Sequence, residues 1–135
     1  MEDTIFMKIV RKEAPAEIVY EDDNTLAFLS IGPNTPGHTL VIPKKPCTNI
    51  FDVDQETLAQ VMETVRKIAP AVRDAVDASG VHINSNHGSG ARQEVNHLHM
   101  HIIPRHDRDE VTFWPEGTYA EGEAAAVANA IRTKL

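Results

Sequence analysis

Three histidines occupy alternate positions of a short hydrophobic segment. His97, His99 and His101 are separated by single hydrophobic residues, and two further hydrophobic residues follow them. On a β-strand, residues i, i+2 and i+4 point to the same face, so the spacing predicts three imidazole rings on one side of a strand over 95–103. One histidine on a solvated strand face is common, but three in register favour a chemical role.

Two kinds of chemistry suit such a row of rings. Neutral imidazole is a common protein ligand for zinc and copper. However, His97 and His101 would lie about 13 Å apart along a strand, so a single ion would need further ligands, such as His38 or His82. Alternatively, a histidine can attack phosphorus and hold the transferred group as a phospho-imidazole, while the flanking rings orient it and bind phosphoryl oxygens. The residues by themselves leave both alternatives open.

Hydrophobic spacing and turn residues elsewhere in the chain predict the elements that carry these rings. Extended segments are separated by turns rich in Asn, Asp, Gly and Pro, and a long amphipathic helix occupies the middle of the chain. The predicted helices span 3–13, 54–78 and 120–135, and the predicted strands span 18–20, 25–31, 38–42, 81–84 and 95–103. This succession predicts an α+β fold with a largely antiparallel sheet, a long helix and short terminal helices.

Length and composition exclude several classes of protein. The 135 residues predict one domain over 1–135. Thirteen basic against 20 acidic residues give a net charge of −7, which is unlike a nucleic-acid-binding protein. Cys47 is the only cysteine, which excludes an internal disulfide and a Cys-rich metal site. No apolar stretch approaches the roughly 20 residues of a membrane span, and the first residues lack a signal-peptide core. We therefore expect a cytoplasmic protein that binds neither nucleic acid nor membrane.

Three segments together resemble the histidine triad (HIT) family. They are HLHMHII over 97–103, DTIFMKI over 3–9 and PGHTLVIPK over 36–44. The resemblance implies the histidine-triad fold and a homodimer in which the two sheets join. It also implies a protein that binds purine nucleotides and hydrolyses or transfers nucleotidyl groups at the α-phosphate, with no metal or other cofactor.

The resemblance also assigns roles to individual residues. His99 matches the nucleophile, which forms a nucleotidyl-imidazole intermediate that water then cleaves. His97 and His101 match the residues that support it and contact phosphate, and His38 matches a fourth active-site histidine. The positions that match the nucleotide-binding site are Ile5, Phe6, Phe28, Ser30, Ile31, Asn86, Arg92, Gln93 and Glu94.

The chain departs from the family pattern at several of these positions. Ser30 stands where an acidic residue commonly holds the ribose, Glu94 where Ser or Thr often follows the Gln, and Arg92 where Gly is usual. Thr4 and Met7 stand where some members have zinc-binding cysteines, so we expect that zinc site to be absent.

Because of these departures, the sequence leaves open which leaving group is released and whether the protein catalyses a reaction. An adenosine phosphoramidate or a dinucleoside polyphosphate would fit the expected hydrolase. The alternatives are a metal-binding protein that uses the histidine cluster, or a nucleotide-binding module without catalysis. Trp114, which follows the triad strand, could cover the site or contact a partner subunit.

Overall fold

The computed structural model describes residues 3–109, 111 and 115–135; Trp114 lies outside the described residues. Three α-helices and five strands are found in this part of the chain. The helices are α1 (Ile5–Val10), α2 (Gln55–Ala75) and α3 (Glu123–Lys134), and the strands are β1 (Ile18–Glu21), β2 (Thr25–Leu29), β3 (Thr39–Pro43), β4 (Gly80–Asn84) and β5 (Met100–Arg105). None of these helices is long and apolar enough to cross a membrane, as far as the described residues extend.

The five strands form one antiparallel sheet in the order β1-β2-β3-β5-β4. The predicted α+β class with an antiparallel sheet is therefore confirmed. Asp22 closes the β1–β2 hairpin, since its Oδ1 accepts hydrogen bonds from the main-chain N–H groups of Asn24 and Thr25. Strand β5 lies between β3 and β4, with His101 opposite Leu40 of β3.

Alternation along the strands gives the sheet two packed faces. One face carries a cluster that includes Val41 and Ile102 and packs on α2, while the other carries a cluster that includes Leu40 and packs on α1. Since His101 is next to Ile102 along β5 and opposite Leu40, its side chain points to the α1 face. The sheet thus places the long helix behind the histidines and the short helix beside them.

Capping residues stabilise the starts of α1 and α2. The hydroxyl of Thr4 accepts from the N–H of Met7, and the carboxylate of Asp54 accepts from the N–H of Thr57. The first helix is shorter than predicted, because it ends at Val10 instead of residue 13. The backbone turns at Lys12, whose φ is 62°, before Pro15 is reached.

The predicted triad strand was wrong at its beginning. Strand β5 starts at Met100, not at residue 95, and continues through Pro104 to Arg105. Pairing with β3 stops at Val41–Met100, close to the end of β3 at Pro43. Proline has no N–H to donate, which interrupts the ladder at that point. Only the third triad histidine therefore lies in the strand proper, and the first two precede it.

Candidate functional site

One nitrogen of the His99 ring makes a hydrogen bond within the protein, and the other is available. Its Nδ1 lies 2.7 Å from the main-chain oxygen of His97, which can only accept, so Nδ1 carries the proton. The lone pair is then on Nε2, to which no described residue makes a hydrogen bond. Burial lowers the pKa of His99, more than the carbonyl of His97 raises it, so the ring is neutral at neutral pH.

His97 is held more deeply in the protein. Its side chain is 1% exposed, and its Nε2 donates to the main-chain oxygen of Pro43 over 2.8 Å. Burial lowers its pKa, so this ring is also neutral. The end of β3 thus fixes His97, and the carbonyl of His97 in turn fixes His99.

The proton positions of His38 and His101 follow from one main-chain amide. The N–H of Asn34 donates to Nδ1 of His38 over 3.0 Å, so a neutral His38 carries its proton on Nε2. That Nε2–H donates to Nδ1 of His101 over 2.9 Å. A neutral His101 therefore carries its own proton on Nε2, the ring nitrogen left for another partner.

Burial keeps both of these rings neutral as well. It lowers the pKa of His38. Burial, together with the repulsion that His99 and His38 would exert if protonated, lowers the pKa of His101 to about 4. The centroids of the His99 and His101 rings are 5.1 Å apart, as are those of His38 and His101. A neutral ring with a free lone pair thus lies next to a ring with a free N–H donor, which suits attack on phosphorus and binding of a phosphoryl oxygen.

The side chains of Asn86 and Gln93 hold the loop that precedes the triad. Asn86 Nδ2 donates to the main-chain oxygen of Ala91 over 2.8 Å. Gln93 Oε1 accepts from the N–H of Gly88 and from Asn49 Nδ2, while its Nε2 donates to two main-chain oxygens. The amide of Gln93 thus ties this loop to the segment that follows β3.

Two residues of this loop shift the pKa of His99. Glu94 is exposed and raises the pKa of His99, whereas His87 lowers it. His87 was not among the predicted site residues. It is half-buried, and its Nδ1 accepts from the N–H of Ile50 over 2.9 Å. The only signal in the sequence was its place in the polar loop before the triad.

The predicted nucleotide-binding residues are distributed unevenly. Phe6 and Phe28 are buried and contact each other edge-on, with 5.5 Å between ring centroids. Phe6 also lies 5.0 Å from the ring of His99, so the structure brings it to the triad. In contrast, Ile5 is 49% exposed and Ile31 is fully exposed.

The remaining two predicted residues are polar and lie near the surface. Ser30 donates its main-chain N–H to the oxygen of His38 over 2.9 Å, which places it at the start of the histidine row. Arg92 is exposed and has a φ of 59° at the end of a short 3-10 turn over Ser89–Ala91.

The described residues contain no group of three or more His, Cys, Asp or Glu side chains arranged to hold a metal ion. Each of the four site histidines instead gives at least one ring nitrogen to an internal hydrogen bond. Cys47 is buried, and burial raises the pKa of its thiol to about 11, so it stays protonated at neutral pH. The site is thus a row of neutral imidazoles.

Comparison with known proteins gives consistent results. A family model described as the HIT domain matches residues 11–108. The protein named Protein hit from Bacillus subtilis is 44% identical over 109 residues, which are 81% of this chain and 75% of that protein. A crystal structure of a HIT family member from Bacillus subtilis has a TM-score of 0.90 at 38% identity, covering 99% of this chain and 98% of that one. A Zn-bound histidine triad family protein from Mycobacterium smegmatis has a TM-score of 0.78 at 37% identity, covering 97% of each chain.

Proposed function

The chain belongs to the HIT family, and from that premise we propose that it is a nucleotide hydrolase or transferase that uses His99 as its nucleophile. The substrates are purine nucleotides of the AMP type, attacked at the α-phosphate. The observation that carries this proposal is the proton on Nδ1 of His99, bound to the carbonyl of His97, which leaves the Nε2 lone pair available.

The reaction proceeds in two displacements. The Nε2 lone pair of His99 forms a bond to the α-phosphorus, the bond to the leaving group breaks, and the leaving atom takes the electron pair and a proton from solvent. Water, or another acceptor in a transferase, then attacks phosphorus and gives up a proton to solvent, while the N–P bond breaks and returns the electron pair to Nε2. A histidine intermediate splits one difficult substitution into two easier ones.

The other histidines prepare the site for this chemistry. His101 presents its Nε2–H to a phosphoryl oxygen, and the bond from His38 keeps that proton in place. His97 acts through its carbonyl, which orients the ring of His99. With its own side chain 1% exposed, His97 is a positioning residue.

The leaving group is the amine of an adenosine phosphoramidate or the remaining phosphates of a dinucleoside polyphosphate. The pKa of His99 is shifted in opposite directions by the exposed Glu94 and the half-buried His87, and their place on the loop suits contact with whichever group departs. We also propose a cytoplasmic homodimer. The edge position of β4, on which Ile83 is 44% exposed, supports pairing between sheets.

The decisive experiment compares His99→Ala with the intact protein on adenosine 5′-phosphoramidate and on a diadenosine polyphosphate. We expect a loss of activity of at least 10³-fold, as for removal of a nucleophile. Rapid mixing followed by an alkaline quench should trap the intact protein with the added mass of one AMP moiety, because a phospho-imidazole is labile in acid. His106→Ala, at an exposed histidine outside the row, is the matched control and should retain full activity.

Two outcomes would overturn the proposal. Activity of His99→Ala within a few-fold of the intact protein would reject the role of His99. Tight AMP binding without turnover of either substrate would instead favour a nucleotide-binding module.

A further inference from the structure

Arg105 and Asn34 contact each other at the end of the histidine row that is remote from His99. Nη1 of Arg105 donates to Oδ1 of Asn34 over 2.6 Å. Arg105 is the last residue of β5, and its side chain is only 18% exposed. Its Nε forms an ion pair with a carboxylate oxygen of Asp109 at 3.3 Å, and among the described residues this Nε has no hydrogen-bond partner.

This contact joins the loop before β3 to the strand that carries His101. The same loop has a second tie, since Thr35 Oγ1 donates to the main-chain oxygen of Pro104 over 2.9 Å. The two hydrogen bonds join adjacent residues of the loop to adjacent residues of β5. They therefore fix where the main-chain amide of Asn34 lies relative to the strand.

The position of that amide matters because it can only donate. It faces Nδ1 of His38, which must then be the unprotonated nitrogen. Without this main-chain N–H, the His38–His101 hydrogen bond could form equally well in the opposite direction. His101 would then donate from Nδ1, and His38 would accept on Nε2. In that alternative, Nε2 of His101 would present a lone pair to a phosphoryl oxygen in place of an N–H.

We propose that Asn34 and Arg105 are positioning residues that fix the proton positions of His38 and His101. Arg105 holds the side chain of Asn34, and the main-chain N–H of Asn34 selects the tautomer of His38. His38 in turn selects the tautomer of His101. The catalytic consequence rests on the proposed function. The proton positions themselves do not, because they can be measured without substrate.

The experiment is NMR of ¹⁵N-histidine-labelled protein at neutral pH, in which the ring nitrogen shifts and couplings distinguish the two tautomers. In the intact protein we expect both His38 and His101 to carry the proton on Nε2. In Asn34→Ala and in Arg105→Ala, we expect a mixture of tautomers at both rings. The double variant should show no larger change than the stronger single variant, since both act through one contact.

Two further variants separate positioning from a general effect on the fold. Asn34→Asp keeps an oxygen acceptor for Arg105 and should keep the tautomers of the intact protein. Arg66→Ala removes an exposed arginine on α2, whose partner is Glu63, and should also leave them unchanged. Should Asn34→Ala fail to fold, Arg105→Ala carries the same expectation, because Thr35 still ties the loop to Pro104. Unchanged tautomers in a folded Arg105→Ala protein would overturn the proposal.

A kinetic measurement then tests the link to catalysis. With an adenosine phosphoramidate, Asn34→Ala and Arg105→Ala should lower kcat by roughly threefold to tenfold with little change in KM. This is less than the 10²- to 10³-fold that complete loss of one phosphate-binding donor typically costs, since only part of the population carries the wrong tautomer. An intact protein that turns over no nucleotide would reject the proposed function and leave the tautomer result standing. Normal kcat in variants with mixed tautomers would reject the catalytic link alone.

Discussion

The ring of Phe6 stands edge-on to the ring of His99, with centroids 5.0 Å apart and an angle of 83° between the planes. Phe6 makes a second edge contact, at 6.2 Å, with His97. Helix α1 thus covers the first two triad rings from the side opposite α2. Because the ring is apolar, it excludes water from His99 and contributes to the burial that lowers the pKa of that histidine.

We predict that Phe6→Leu lowers kcat more than its loss of stability would suggest. Leucine keeps most of the apolar volume, so the free energy of unfolding should fall by only about 1 kcal/mol. The aromatic contact with His99 is lost, however, and the imidazole ring gains freedom to rotate. We expect kcat to fall by roughly threefold to tenfold, as a looser catalytic geometry predicts. Urea denaturation and steady-state kinetics measure the two effects.

Ile9→Val is the matched control for this variant. Ile9 lies on the same helix and in the same buried cluster, and the substitution costs about 0.5–1.5 kcal/mol. It should leave kcat unchanged. Equal losses of kcat in the two variants would mean that Phe6 acts only through stability.

A second prediction concerns the pH dependence of activity. To attack phosphorus as proposed, His99 must be neutral, and its pKa lies below the usual 6.5. Activity should therefore be constant from about pH 8 down past 6.5 and decline only as the pH falls through the lowered pKa of His99. His101 stays neutral over this range, since its pKa is about 4. A decline in kcat/KM that begins above pH 7 would contradict the assignment of His99 as a buried neutral base.

The third prediction concerns the two loop residues that shift the pKa of His99. His87 lowers this pKa, so His87→Gln should raise it and move the acid limb of the activity profile to higher pH. Anionic Glu94 raises that pKa, so Glu94→Gln should move the limb to lower pH. Exposed pairs are worth about 1 kcal/mol or less, so each shift should be smaller than about one pH unit.

NMR titration of His99 in each variant measures these shifts directly. Both should shrink in high salt, because exposed charges are screened. Shifts of the same sign in the two variants would mean that the substitutions change the burial of His99 and not its electrostatic surroundings.

The histidine row illustrates what the sequence could predict and what it could not. Strict alternation around His99 gives the shared face directly, because side-chain direction depends only on local extended geometry. The start of β5 at Met100 depends on Pro43, which belongs to another strand and removes a ladder donor. Nothing in the spacing of the histidines carries that information.

Proton positions and the role of the preceding loop are even less local. The tautomer of His38 is set by an amide in a loop with irregular backbone, and His87 is oriented by the N–H of Ile50, 37 residues away. Gln93 looked like a phosphate-binding residue by resemblance, yet its amide makes four hydrogen bonds inside the protein. Such contacts form only once distant segments have folded together.

A fourth prediction follows from those bonds. Gln93→Glu replaces an NH₂ that donates to the carbonyls of Thr48 and Val95 by an oxygen that cannot donate. Two acceptors then lose their partners and face a negative charge, so the variant should lose about 1–3 kcal/mol of stability. Gln93→Ala should lose less, because it adds no repulsion. Urea denaturation ranks the variants, and faster trypsin cleavage after Arg92 should accompany the loss.

The final prediction concerns metal. Internal hydrogen bonds occupy both ring nitrogens of His38, Nδ1 of His99 and of His101, and Nε2 of His97. This leaves Nε2 of His99, Nε2 of His101 and Nδ1 of the buried His97. A zinc ion bound to Nε2 of His99 would occupy the attacking lone pair. We therefore expect protein treated with EDTA to keep full activity, added zinc to inhibit it, and renewed chelation to restore it. His99→Ala should weaken zinc binding measured by calorimetry. Activity that is lost on chelation and returns with one zinc per chain would instead make the histidine row a metal site and displace the covalent mechanism.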